Sequence, residues 1–68
     1  MTVAKIVELV GESKIGWEDA VKKAVSDASK SIDNITGVEV YNWTAQIDAG
    51  EIVEYKANVK VAFGVTDR

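Results

Sequence analysis

The sequence predicts an α+β domain of order β-α-β-β, a three-stranded antiparallel sheet packed on one helix. Three observations carry that expectation. Near the end, Val53, Tyr55, Ala57, Val59, Val61, Phe63 and Val65 share one phase while Glu54, Lys56, Asn58 and Lys60 share the other, which is the period of a strand. In the middle, Trp17, Ala20, Val21, Ala24, Val25, Ala28 and Ile32 recur at spacings of three and four and form one apolar helical stripe. At the start, Val3 to Val10 is β-branched and apolar.

In the first strand the two faces are Val3/Lys5/Val7/Leu9 and Ala4/Ile6/Glu8/Val10. Each holds one charge among apolar residues, so the strand is expected to be covered on both sides. Gly11-Glu12-Ser13 is expected to break it. The helix follows, with Ser13 or Gly16 as N-cap and with Glu18 and Asp19 in the first turn, where the helix dipole favours negative charge. Glu18 with Lys22 and Asp19 with Lys23 are acid-before-base pairs four residues apart. Asn34 or Gly37 offers the left-handed residue that ends the helix. The second strand changes phase: Val38 and Val40 are apolar in one, then Tyr41, Trp43, Ala45 and Ile47 in the other. Such a switch means a bulge, a strong bend, or burial on both faces. Asp48-Ala49-Gly50-Glu51 is the hairpin turn, with Gly50 able to take positive φ.

Residues 1–68 leave room for one domain only. A chain this short is marginally stable alone, and disulfides, a structural metal or self-association are the usual remedies. Cysteine and histidine are both absent, which removes disulfides and Cys/His zinc sites. Three strands and one helix also leave a sheet face and the sheet edges uncovered, and open edges invite another chain. Self-association is therefore expected. A net charge of −3 argues against a nucleic-acid partner. The longest uncharged stretch, Val40 to Ile47, is too short and too polar to span a membrane. Met1-Thr2-Val3-Ala4-Lys5 lacks the features of an export signal, so the cytoplasm is the expected compartment and the Asn34 and Asn42 sequons are not expected to carry glycans.

Little in the chain suggests catalysis. With neither histidine nor cysteine, Ser-His pairs and thiolate nucleophiles are excluded, and no glycine-rich phosphate loop occurs. Glu8, Glu12, Glu39, Asp48, Glu51 and Glu54 read as solvated or ion-paired, although such oxygens suit a hard cation held between subunits. Trp43, between Asn42 and Thr44, suits a subunit interface or stacking on a flat ligand. Trp17 reads as core. Lys56 and Lys60 lie on the polar side of the last strand and suit solvated pairs or a phosphate.

Lys5-Ile6-Val7-Glu8-Leu9-Val10-Gly11-Glu12-Ser13, Trp17-Glu18-Asp19-Ala20 and Ala28-Ser29-Lys30 resemble the first half of the dodecins. Gly37-Val38-Glu39-Val40 and the run from Tyr55 to Phe63 resemble the second half. The resemblance covers nearly the whole chain. It implies a hollow homododecamer that stores or sequesters flavin between subunits rather than turning it over. It also implies FMN or riboflavin as ligand and pocket positions at Gly37, Val38, Asn42, Trp43 and Lys56. Two positions depart from the flavin-binding pattern. Gly37 stands where those dodecins have a ring-stacking tryptophan, and Lys56 stands where they have a glutamine. The expectation is a non-catalytic, oligomeric shell that binds flavin weakly and takes some small aromatic or phosphorylated ligand. The alternatives are a shell with no specific ligand, or one that binds metal ions between subunits.

Overall fold

In the computed structural model, which describes residues 3–65, the order is β1 (Ala4–Ser13), α1 (Trp17–Ala28), β2 (Ile35–Asp48) and β3 (Glu51–Gly64). The strands form one antiparallel sheet in the order β1-β3-β2. The strand with unbroken alternation is thus the central one, and the helix packs across one face of it. Ala57, Val59 and Val61 of β3 are fully buried under Ala20 and Ala24 of α1, with Leu9, Val21, Ile35 and Val40 packed around them.

β1 does not break at Gly11-Glu12-Ser13. It pairs with β3 as far as Ser13 opposite Tyr55. Gly11 serves close approach instead, because a Cβ there would collide with the carbonyl of Ala20 and crowd the Ala24 methyl. The alanines at 20, 24 and 28 are the buried side of the helix and allow the same approach.

Gly16 is the N-cap, with extended backbone and no side-chain cap bond of its own. Ser13 does the organising: its hydroxyl donates to Asp19 Oδ2 at 2.6 Å and accepts from the Ile15 and Gly16 amides. Asp19 pairs with Lys23 at 3.3 Å, whereas the expected Glu18–Lys22 pair does not form among the described residues. The helix also ends earlier than the apolar stripe suggests. Ala28 is its last residue, and Ser29, Lys30 and Ser31 continue as a tightening turn, with Lys30 N–H on the Asp27 carbonyl and Ser31 N–H on the Ala28 carbonyl. The Ser29 hydroxyl donates to the Ser26 carbonyl, a local bond that competes with helix continuation. The left-handed residue beyond it is Asn34, at φ 63°, while Gly37 lies within β2.

The phase switch in β2 is a bulge. The register against β3 slips between Val40 and Asn42, with further slips between Ile35 and Gly37 and between Gln46 and Ile47. Ala49 and Gly50 make a two-residue turn, both at positive φ. Beyond the helix the β2–β3 hairpin runs on, which makes the subunit long and thin at 53 × 20 × 13 Å.

Candidate functional site

The pairing register sorts the side chains onto two faces. On the helix side lie Lys5, Val7, Leu9, Gly11 and Ser13 of β1, then Tyr55, Ala57, Val59, Val61 and Phe63 of β3, and Val38, Val40, Trp43 and Ala45 of β2. The other face, which the helix leaves open, is built in rows across the three strands. Ile6, Ala62 and Gly37 form one row; Glu8, Lys60 and Glu39 the next; Val10, Asn58 and Asn42 the third; Glu12, Lys56 and Thr44 the fourth.

The five expected pocket residues divide between these faces. Gly37, Asn42 and Lys56 stand together on the open face, whereas Val38 and Trp43 belong to the helix side. Gly37 is exposed, and a Cβ built there meets nothing within 4 Å. Glycine is therefore not demanded by packing within the subunit or by positive φ at this point. The Lys56 ammonium lies 3.8 Å from the Glu12 carboxylate, so part of its charge is already compensated.

Trp43 sits opposite Ala57 and is 52% exposed. It meets Trp17 edge to face, with centroids 6.4 Å apart, and Trp17 meets Tyr55 the same way at 4.8 Å. The Trp17 indole N–H donates to the Thr44 carbonyl at 2.8 Å. Trp17 is thus a half-buried packing residue, as its place in the stripe suggests. Trp43 completes an aromatic cluster at the N-terminal end of the helix.

Tyr41 is the residue that sequence reasoning missed. The bulge turns it onto the open face, where its hydroxyl donates to Glu8 Oε1 at 3.2 Å. Lys60 Nζ lies 5.2 Å from the ring centroid. A side chain rooted on β2 that bonds a residue of β1 and rests beside a lysine of β3 has its ring laid across the central strand. Partial burial against the sheet, reinforced by the Glu8 charge and hydrogen bond, raises the Tyr41 phenol above its ordinary value. The only sequence signal for this placement was the phase switch itself.

A shallow groove of about 210 Å³ runs between the β1 edge and the helix, lined in part by Leu9, Glu12, Lys23 and Asp27. None of the five expected residues borders it. No group of three or more acidic, histidine or cysteine ligands gathers within the chain among the described residues. Among the same residues no helix is long and apolar enough to cross a membrane.

The sequence profile of the dodecin family matches residues 3–66. The chain belongs to the dodecin family. Calcium dodecin of Mycobacterium tuberculosis is 30% identical over 63 residues, covering 93% of this chain and 89% of the relative. The tt0972 protein of Thermus thermophilus superposes with a TM-score of 0.94 at 31% identity, over the full length of both chains. A dodecin from Streptomyces coelicolor gives 0.92 at 27% identity, covering 98% of this chain and 96% of its own.

Proposed function

We propose that this dodecin is a non-catalytic, self-assembled binding and storage protein for a small ligand, with plain flavin a poor one. The observation that carries the reading is Gly37: an exposed position with open space around it, on the same face as Lys56, which supplies no ring to stack on. Stacking on tryptophan contributes ~0.5–1.5 kcal/mol beyond the area it buries. Lysine only donates, so it cannot accept from a ring N–H as glutamine can, and leaving that N–H unpaired costs ~1–3 kcal/mol when buried. Together the two losses lower affinity by on the order of a hundredfold. The test is a fluorescence titration with riboflavin and FMN of this chain and of the Gly37→Trp, Lys56→Gln double variant. Affinity gained only by the double variant is the expected result. Tight binding by the unaltered chain overturns the reading.

A second reading, cation binding between subunits, is supported by a different observation. The open face carries Glu8, Glu12, Glu39 and Glu54, and one relative is named for calcium. Carboxylates drawn from more than one subunit supply the oxygen ligands that calcium prefers. Equilibrium dialysis of the assembled protein against calcium tests this, and an absence of saturable uptake rejects it.

A further inference from the structure

The β2–β3 hairpin reaches past the rest of its own subunit. β1 pairs with β3 no further than Ser13 opposite Tyr55, so Glu51 to Glu54 have only β2 beside them. The charged residues from Ala45 to Tyr55 are Asp48, Glu51 and Glu54, all acidic. Asp48 stands directly opposite Glu51 across the turn. Like charges that face each other on paired strands destabilise the pairing. Both side chains are exposed, and neither has an ion-pair partner among the described residues. Two residues on from Glu51, and so on the same face, Val53 is 41% exposed. The tip offers two carboxylates beside an apolar side chain.

The matching set lies at the other turn of the fold. Lys14 and Ile15, in the loop between β1 and α1, are both exposed, Ile15 to 78%. Lys14 forms no ion pair among the described residues, unlike Lys23, Lys30 and Lys56. Lys60 is set between Glu8 and Glu39 in its row. Lys5 also precedes an exposed isoleucine, but neighbours within a strand point to opposite faces and cannot meet one surface together. Lys22 stands on the helix between half-buried Val21 and Lys23. Two carboxylates fall short of the roughly six to eight oxygens that calcium takes. One ammonium, with three donors, serves both.

Resting on the self-assembly in the reading above, we infer that the hairpin tip docks on the Lys14–Ile15 loop of a second copy of this chain. The Lys14 ammonium sits between Asp48 and Glu51, and Ile15 packs on Val53. The contact cancels the repulsion at the turn, so the tip is completed only in the assembly. Its strength falls as salt rises, because exposed charges are screened over about 8 Å at physiological ionic strength.

The experiment follows dissociation of the full chain on dilution by light scattering, with folding checked by circular dichroism. The unaltered protein is compared with Lys14→Glu, Glu51→Lys, the two exchanges combined, and Ile15→Ser. Each charge reversal is expected to raise the half-dissociation concentration about tenfold, and the combined exchange to restore most of the loss. Glu51→Lys weakens assembly even though it relieves the repulsion within its own hairpin, the opposite of what a role inside one subunit gives. Ile15→Ser weakens assembly with no change of charge. Where Lys14→Glu does not fold, Lys14→Gln, which removes the charge alone, is read in its place. Unchanged assembly in the Lys14 and Ile15 variants overturns the inference and leaves self-assembly standing. Single losses that simply add in the combined exchange overturn the pairing of these charges. A loss in Glu51→Lys that a chelator reproduces on the unaltered chain makes a divalent cation the occupant and overturns the lysine. A folded monomer of the unaltered chain overturns the inference together with the self-assembly on which it rests.

Discussion

Ser13 is buried, and its hydroxyl serves three partners at once, joining the end of β1 to the first turn of α1. Asp19 is the acceptor among them. The Ser13 hydrogen bond holds its carboxyl below the ordinary value near 3.8, against a partial burial that pushes the other way, with Lys23 and Lys22 adding to the lowering. A depressed carboxylate contributes stability that is fully present above its unfolded pKa and is lost as pH falls through the folded value. Asp19→Asn should therefore be less stable at neutral pH and lose less on acidification below about pH 4. Acid unfolding curves of the two proteins at equal concentration check this; parallel curves reject it. Gly11, two residues before Ser13, shows where residue reading fails. Glycine signals a turn and a close backbone approach alike, and only the position of the Ala20 carbonyl decides between them.

The elements differ in how much of their geometry their own residues determine. β3 was legible because it is central, so one side of it is buried along much of its length and its alternation stays clean. The helix start was legible from its acidic first turn, but its end was not, because the Ser29 hydroxyl bonds the Ser26 carbonyl and the Lys30 and Ser31 amides tighten onto carbonyls three residues back, which the apolar stripe does not report. β2 was half legible. Its phase switch announced a bulge, yet which aromatic faces which side depends on the residue at which the register slips, and one residue of slip reverses every side chain after it. That is why Tyr41 was passed over and why Trp43 was grouped with Gly37. At the hairpin tip, Ala49 holds φ 54° beside Gly50 at φ 80°. Two-residue turns with both positions at positive φ favour Asn-Gly, and alanine is strained there. Ala49→Asn should accordingly raise stability by ~0.5–1 kcal/mol. Chemical denaturation at fixed protein concentration measures it, and an unchanged or lower midpoint shows that alanine is not strained at this turn.

As a whole molecule the subunit is poorly supplied with core. Its fully buried hydrophobics are alanines and valines, and the largest fully buried side chains are Val59 and Val61. Meanwhile Ile6, Val10, Ile15, Trp43, Ile47 and Ile52 are exposed. The radius of gyration is 13.9 Å, against about 11 Å for a compact chain of this length. An extended shape with large apolar groups outside and small ones inside suits a chain whose remaining core is supplied by its neighbours. Folding and association are then coupled by mass action, so the melting temperature should rise with protein concentration, and light scattering should give a mass many times the 7.4 kDa chain. Trp43 is the residue through which this is best probed. It lies on the face opposite Gly37, Asn42, Lys56 and Tyr41, and it is half-exposed at the end of the aromatic cluster with Trp17 and Tyr55. Tryptophan is enriched among interface anchors, and truncating one that acts as a hot spot costs ~2 kcal/mol or more. Trp43→Ala should therefore lower the concentration-dependent melting temperature and release smaller species on dilution, while riboflavin affinity of the fraction still assembled stays as it was. Equal oligomer size and equal melting temperature in the variant would reject an interface role for Trp43, and a folded monomer of the unaltered chain at micromolar concentration would reject obligatory assembly altogether.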